Sequence, residues 1–317
     1  MNNCLYCYKP LKENQIDFHP ACCKKIFNTK NVPVLDYSED QMLELADQVI
    51  KSQIAVTGVQ PKLSLEIVKN PDDQKERRFT IVGLWGGYIL KPPTKQFPSL
   101  PELEDLTMNL ATLSKIDTVP HSLIRLNNGK LAYITKRIDR AEGKKIHMED
   151  MCQLTERLTE FKYRGSYEQI GKAIQKYSAN PGLDLINFFE QLLFSFLTGN
   201  ADMHLKNFSL INNPVLGYVL TPAYDMLSTK LVMEEDDEDL ALTLNAKKKM
   251  LKRKDFIAAF NLFEIPEKTQ NNTFAKFERT ISSWFKMIEI SFLPSEMKEA
   301  YIDLIKDRAK RLDLKIE

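Results

Sequence analysis

The sequence has almost no net charge: 44 Lys plus Arg stand against 43 Asp plus Glu, a formal net charge of +1. A chain that holds nucleic acid through a diffuse positive field needs a basic excess, and a solvating acidic tail needs the opposite. Both classes are excluded. No apolar run approaches the roughly 18 residues of a membrane-spanning helix, so no membrane partner is expected. The first residues, MNNCLYCYKPL, lack the apolar centre of a secretory signal, which makes the cytoplasm the expected compartment. Internal repeats and low-complexity tracts are missing as well. What remains is 317 residues, 43% hydrophobic and 27% charged, the composition of an ordinary globular protein. The length points to about two domains and suffices for a large core and a cleft.

Cysteine is scarce and unevenly placed. There are five, and four of them, Cys4, Cys7, Cys22 and Cys23, fall within the first 23 residues. A reducing compartment keeps thiols reduced, so no disulfide framework is expected. Cys4 and Cys7, with two residues between them, can grip one metal ion from a single turn. His19 and Cys22 can complete a tetrahedron, so a small zinc knuckle is expected. Four protein ligands leave no open position, which makes the site structural rather than catalytic. Cys152 stands alone and reads as a core residue.

The patterning divides the chain into a Cys-rich head (1–30), a strand-rich lobe (31–140) and a helical lobe (141–317). Residues 31–36 read as an extended linker. Apolar spacing predicts a helix over 39–53. Gly58 and Pro61 then mark a turn into a strand with Leu63, Leu65 and Ile67 on one face. RRFTIVGL and YILKPP give two more strands around Trp85-Gly86-Gly87, and Pro92 and Pro93 end the second. ELEDLTMNLATLSKI is an amphipathic helix. LIRLNNGKLAYITKRIDR is a hairpin turning at Asn127-Asn128-Gly129. Beyond about residue 148 helices dominate, interrupted by the β insert NFSLINNPVLGYVLTPAYD. The expected fold class is therefore α+β and two-lobed, with a small β-rich N-lobe and a larger helical C-lobe. The acidic run 234–239 and the basic Lys247-Lys248-Lys249 read as a solvated surface loop.

Four groups carry chemistry, and their order matters. In the turn Thr57-Gly58-Val59-Gln60-Pro61-Lys62, backbone N–H groups can cradle an anion. Lys91 closes the apolar strand Tyr88-Ile89-Leu90 and can place a point charge on a phosphate. In Gly199-Asn200-Ala201-Asp202-Met203-His204-Leu205-Lys206-Asn207, an Asp precedes an Asn by five residues in a loop leaving a very apolar helix. That is the spacing of a phosphoryl-transfer loop: Asp202 accepts a hydroxyl proton, Asn207 holds magnesium, and Lys206 offsets the charge. Asp225, in Ala223-Tyr224-Asp225-Met226, suits a second magnesium ligand, although the Phe-Gly that usually follows in protein kinases is missing. A phosphate cradle, a strand lysine, an Asp-x4-Asn loop and a later Asp recur in this order in protein-kinase-like folds.

At these residues the chain resembles the HipA family of toxin kinases, best over about residues 50–230. The segments that carry the resemblance are TGVQPKLSL, YILKPP, FPSLPELEDLTMNLA, ITKRIDR, HMEDMCQLT, YRGSYEQI, GNADMHLKNFSL and PAYDMLS. The resemblance implies a two-lobed Ser/Thr kinase that uses ATP and Mg2+ and acts as the toxin of a bacterial toxin–antitoxin system. It further implies an aminoacyl-tRNA synthetase as substrate, so that translation is blocked, and restraint by a HipB-like DNA-binding antitoxin.

Residue by residue, the resemblance makes Asp202 the catalytic base, assisted by His204 and Lys206. Asn207 and Asp225 become the magnesium ligands, and Lys91 the ATP-phosphate lysine, paired with Glu102 or Glu104. The backbone at Lys136 and Ile138 becomes the adenine hinge. The family's full-length members carry a further N-terminal β domain. With only about 50 residues before Gly58, this chain resembles the short HipT-like members, whose missing domain can be a separate small HipS-like protein. The loop before Gly58 often carries autophosphorylated serines that switch the kinase off. Ala55 stands at the first such position and Thr57 remains, so Thr57 is the candidate site, with Ser52 an alternative. Phosphate at Thr57 would bring about two negative charges to the ATP-phosphate position.

Two rival readings stand beside this one. The first is an inactive kinase-shaped co-repressor that works with a DNA-binding antitoxin, against which the intact Lys91, Asp202, Asn207 and Asp225 set argues. The second is a zinc-dependent nucleic-acid binder, against which the balanced charge argues.

Overall fold

The computed structural model describes residues 2–37, 41, 42, 44, 62–69, 76–82, 85–141, 143–233 and 235–316. The chain has the two-lobed α+β kinase-like fold, with a β-sheet lobe, a helical lobe and an N-terminal Cys/His cluster. It divides into two compact units. One joins Met1–Asp105 to Val119–Lys144; the other joins Leu106–Thr118 to Lys145–Glu317. Of the helix expected over 39–53, residues 41, 42 and 44 are helical. Its remainder and the turn Thr57–Pro61, with Ser52, lie outside the described residues.

In the first unit the head ends in helix α1 (Pro20–Phe27), which the cysteine pattern does not announce. Pro20 supplies the helical φ at its start, and Asn28 closes it in the left-handed region at φ +58°. Five antiparallel strands follow: β1 (Leu63–Lys69), β2 (Arg77–Ile81), β3 (Tyr88–Lys91), β4 (His121–Arg125) and β5 (Leu131–Lys136). They lie in the order β2-β1-β3-β5-β4. The alternation in β1 appears as burial: Leu63 and Leu65 are sealed, while Ser64 and Glu66 are partly open. Phe27 of α1 meets Phe79 of β2 edge-on at 5.6 Å, and Phe79 meets Tyr88 of β3 at 5.6 Å. The head thus contributes to the sheet's own core.

Residues 31–36 are extended as expected, but they are not a free linker. The Val34 N–H donates to the Arg77 carbonyl and its carbonyl accepts from Phe79 N–H, each at 2.8 Å, which adds a short parallel bridge outside β2. At the opposite edge the Leu5 carbonyl accepts from the Leu123 N–H of β4 at 3.4 Å. Helix α2 (Leu100–Leu113) begins in this unit, and its residues 106–113 belong to the second.

A short ribbon, β6 (Arg140–Ala141) with β7 (Lys144–Lys145), ends the first unit's stretch of chain, and from Lys145 onward the chain belongs to the second unit. It continues with β8 (Met148–Asp150), α3 (Met151–Leu154), α4 (Tyr167–Tyr177) and α5 (Pro181–Leu197), then β9 (Ser209–Asn213) and β10 (Gly217–Leu220). Three helices complete it: α6 (Arg253–Leu262), α7 (Glu267–Ile290) and α8 (Ser295–Arg311). Helix α5, with Phe188, Phe189, Leu192, Leu193, Phe194 and Phe196 all fully enclosed, is the central helix of this core. Helix α7 shows the apolar stripe that its sequence dictates, Phe274, Phe277, Ile281, Trp284 and Ile288, spaced alternately by three and four residues. Trp284 packs edge-on against Phe194 at 5.3 Å, and its indole N–H donates to Ser114 Oγ at 3.0 Å. Cys152 is buried, as expected. No described helix is long and apolar enough to cross a membrane.

One expectation is overturned. The acidic run is not simply solvated, because its last member, Asp239, is only 4% exposed. Asp239 accepts hydrogen bonds from the guanidinium groups of Arg308 and Arg311 on α8 and, at 2.9 Å, from the Leu251 N–H. The run's outer members pair with the basic cluster: Asp237 with Lys249, and Glu238 with Lys248. The opposed charges pin a loop to the last helix.

Candidate functional site

In the first unit the strand lysine is buried. Lys91, the last residue of β3, places Nζ 2.5 Å from Glu104 Oε1 on α2. This settles the choice between Glu102 and Glu104. Glu102, on the same turn, does not take Lys91. Burial pushes its carboxyl up to about 7, and its Oε2 has no partner among the described residues. The Lys91 ammonium also lies 5.4 Å from the centroid of the Tyr133 ring of β5. Register explains the contact, because Lys91 stands opposite Tyr133 in the β3–β5 ladder. Lys136 ends β5 opposite Tyr88, with its N–H donating to the Pro120 carbonyl, and Ile138 follows just beyond the strand. Lys62, at the far end of the turn before β1, is exposed.

In the second unit the Asp-x4-Asn loop leaves α5 through Gly199. Its φ of +67° and the 2.8 Å bond from Asn200 N–H to the Ser195 carbonyl close the helix by the six-to-one turn that glycine permits. The loop is held at both ends. Ala201 N–H donates to Thr229 Oγ1 at 2.8 Å. Ser209, at the start of β9, pairs with Asp150 of β8.

Within the loop, the Asp202 N–H donates to Asn200 Oδ1 at 3.1 Å, and Asp202 Oδ1 accepts from the Tyr163 hydroxyl at 2.5 Å. Asn207 donates its Nδ2 to the Asp202 carbonyl at 3.0 Å. That bond fixes the amide's sense and leaves Oδ1 as an available acceptor. Asp225 follows β10 with φ +58°, in the left-handed region. It is tied to the loop through its neighbour Tyr224, whose hydroxyl donates to the Lys206 carbonyl at 2.9 Å and accepts from Ser209 Oγ at 2.6 Å. An amide oxygen and a carboxylate are hard oxygen donors, the type magnesium prefers. The residues present therefore fit that ion.

Two loop residues have other engagements. Lys206 Nζ is 2.5 Å from Asp150 Oδ2, and Asp150 also caps α3 through the Gln153 N–H. His204 is buried, packs edge-on against Tyr163 at 5.0 Å, and has no partner for Nδ1 among the described residues. Burial holds its imidazole below the ordinary value, against the opposing charge of Asp202. Tyr163 and Asp150 are the residues that motif reasoning misses. Both lie in segments similar to the family, YRGSYEQI and HMEDMCQLT, but neither has a spacing that points to the loop. Burial and the bond to Asp202 push the Tyr163 phenol well up.

The head brings its four ligands together: the ligating atoms of Cys4, Cys7, His19 and Cys22 all lie within 4.8 Å of one another. His19 Nδ1 is 3.4 Å from Cys7 Sγ and 3.8 Å from Cys22 Sγ, and its Nε2 is 3.1 Å from the Pro10 carbonyl. Burial and the neighbouring thiols push the Cys22 thiol far up.

Residues 54–285 match the HipA-like C-terminal domain. The chain belongs to the HipA-like family. It is 30% identical over 248 residues to a Haemophilus influenzae protein provisionally named a kinase, a match covering 72% of this chain and 68% of that one. It is 34% identical over 226 residues to a Sinorhizobium fredii protein provisionally named kinase Y4dM, covering 67% and 53%. It is 27% identical over 215 residues to the serine/threonine-protein kinase toxin HipA of Shewanella oneidensis, covering 62% and 47%. This HipA-like chain thus spans about two thirds of the first of these relatives and about half of the other two.

Among solved structures, a chain of the Shewanella oneidensis complex of HipA, HipB and operator DNA is similar with a TM-score of 0.66 and 21% identity, over 84% of this chain and 70% of that one. The Helicobacter pylori proinflammatory kinase CtkA is similar with a TM-score of 0.54 and 16% identity, over 78% and 93%. At such identities these two likenesses speak for the fold alone.

Proposed function

We propose that this HipA-like chain is a serine/threonine protein kinase, dependent on ATP and magnesium, that acts as the toxin of a toxin–antitoxin system. The observation that supports this most is the buried Lys91–Glu104 pair. A lysine held by a carboxylate at the end of a core strand is the arrangement that kinases use to orient nucleotide phosphates. When bound, magnesium-ATP supplies the transferable phosphoryl group and neutralises its charge.

Asp202 acts as the base that accepts the target hydroxyl's proton, and Tyr163, by occupying Oδ1, leaves Oδ2 to take it. Asn207 would offer Oδ1 to magnesium, since its Nδ2 is committed to the Asp202 carbonyl. Asp225 is the second magnesium ligand. Lys206, engaged with Asp150, braces the loop, and His204 stays neutral within it. The backbone at Gly58, Val59 and Gln60 cradles phosphates, and that of Lys136 and Ile138 receives the adenine.

The finer reading follows the family. The substrate is an aminoacyl-tRNA synthetase, the restraining partner is a HipB-like DNA-binding antitoxin, and a small HipS-like protein stands in for the domain that short HipT-like members lack. Thr57 is the autophosphorylation site, with Ser52 the alternative. Cys4, Cys7, His19 and Cys22 hold a structural zinc ion.

Phosphopeptide mapping of cells expressing the active chain and Asp202→Ala tests the reading. New phosphosites on a synthetase and on Thr57, present only with the active chain, are expected. Purified protein that binds no nucleotide and transfers no phosphate, with Asp202→Ala causing no change in cells, overturns it.

A further inference from the structure

The Cys/His cluster is connected to the nucleotide lysine by an unbroken series of contacts inside the first unit. His19 Nε2, 3.1 Å from the Pro10 carbonyl, carries the ring proton and turns the Nδ1 lone pair toward the thiols. A backbone carbonyl behind the ring is the contact that orients histidine ligands in zinc sites. One imidazole and three sulfurs make a closed tetrahedral donor set.

The turn that forms this set does a second thing. Tyr8, directly after Cys7, sits at φ +61°, with its N–H donating to the Cys4 carbonyl at 2.9 Å. A bulky residue rarely adopts that conformation, so the turn must be held to keep it. There Tyr8 is 1% exposed and donates its hydroxyl to Asp105 Oδ2 at 2.8 Å, across 97 residues of sequence.

Asp105 is the residue after Glu104 on α2. It is fully buried and gripped from the other side by His121 Nδ1 at 2.8 Å from Oδ1. Consecutive helical residues point about 100° apart. Holding Asp105 between Tyr8 and His121 therefore sets the rotation of α2 and the direction in which Glu104 leaves it. His121 in turn stacks on Tyr133, the ring beneath Lys91.

We propose that zinc bound by Cys4, Cys7, His19 and Cys22 positions the Lys91–Glu104 pair through Tyr8 and Asp105, so that occupancy of the metal site controls nucleotide affinity. The nucleotide half of this proposal rests on the kinase reading of Lys91; the coupling of metal to helix does not. In it Tyr8 is a positioning residue. Losing zinc frees the turn, withdraws the Tyr8 hydroxyl and lets α2 rotate away from Lys91. The metal's binding free energy is in this way coupled to the local order of the lobe.

The test uses the full chain in three measurements. Elemental analysis is expected to find one zinc per chain. Hydrogen–deuterium exchange over residues 100–113 is expected to rise when zinc is removed by a chelator and to fall back when zinc is restored. Tyr8→Phe, which removes only the hydroxyl, is expected to keep its zinc and its circular dichroism. It should nevertheless show faster exchange over 100–113 and bind magnesium-ATP about threefold to tenfold more weakly. Wild-type protein isolated without zinc, and unable to take it up, overturns the metal site. Exchange over 100–113 that is indifferent both to chelation and to Tyr8→Phe overturns the coupling. Zinc-loaded wild type that takes no ATP overturns the kinase reading instead, and the exchange comparison then decides the coupling alone.

Discussion

Lys91 and Glu104 meet at 2.5 Å where water hardly reaches, with 3% and 1% of their surfaces exposed. Such a pair gains little over an apolar one, but removing one partner strands the other's charge. That usually costs about 3–5 kcal/mol. Glu104→Ala should lower the urea midpoint accordingly. The double variant Lys91→Met with Glu104→Leu should regain most of that loss in the same denaturation experiment, yet bind no magnesium-ATP in calorimetry. A double variant that still binds ATP would remove Lys91 from the nucleotide site.

On the proposed kinase reading, Asp202 is the base and Tyr163 orients it through Oδ1. Asp202→Asn keeps the shape and loses the base, so transfer should fall by about 100-fold to 10,000-fold while nucleotide affinity stays within a few fold. Tyr163→Phe loses only the donor to Oδ1 and should cost roughly tenfold in the turnover number. Single-turnover transfer from labelled ATP separates the two effects from binding.

Glu102 supplies a pH signature. Its carboxyl is raised by burial from an ordinary 4.5 to about 7, so between those values the folded state holds a proton that the unfolded state releases. Its contribution to stability is complete below 4.5 and is lost as pH rises through 7. Glu102→Gln should therefore match wild type at pH 4.5 and exceed it at pH 8, by about 3 kcal/mol. Chemical denaturation at both pH values reads the difference.

His204 has the opposite sign. Its imidazole is lowered by burial from an ordinary 6.5, so on acidification the unfolded chain takes up the proton first. Stability should fall as pH drops below about 6.5, and His204→Phe should flatten that slope in thermal melts taken between pH 5 and 7.

Asp239 anchors the last helix. Burial alone would raise its carboxyl, but bonds from Arg311 and the Leu251 N–H, with the charge of Arg308, bring it below the ordinary value. Its stabilisation is present above pH 3.8 and disappears on further acidification. Asp239→Asn should remove about 3–5 kcal/mol at neutral pH, because Arg308 stays buried without its counter-charge. A variant as stable as wild type in urea would show that water replaces the carboxylate.

Much of the architecture is legible where local chemistry repeats. The hairpin turning at Gly129 and the stripe on α7 follow from turn residues and period, because those forces act within a few positions. The Cys4, Cys7, His19, Cys22 set is legible because metal ligands keep short spacings. Long-range pairing leaves no such trace. Asp239 reads as one acid among six, since its partner Arg308 lies 69 residues on. Glu102 and Glu104 look equivalent in the sequence, and only the direction in which each leaves α2 distinguishes them. Lys206 looks free for phosphate until Asp150, 56 residues earlier, is folded beside it. The short helix α1 escapes notice because eight residues carry too little periodicity to register.

A last consequence follows from the bridges made by Leu5 and Val34. An outermost strand with unpaired N–H and C=O groups is a template on which other chains can stack into aggregates. Here Val34 occupies the outside of β2 and Leu5 the outside of β4, the two borders of one sheet. The first 36 residues thus act as selvedges, finishing both raw margins of the fabric. Cutting them away would expose a sheet prone to self-association, and the damage would show as turbidity before it showed as lost catalysis.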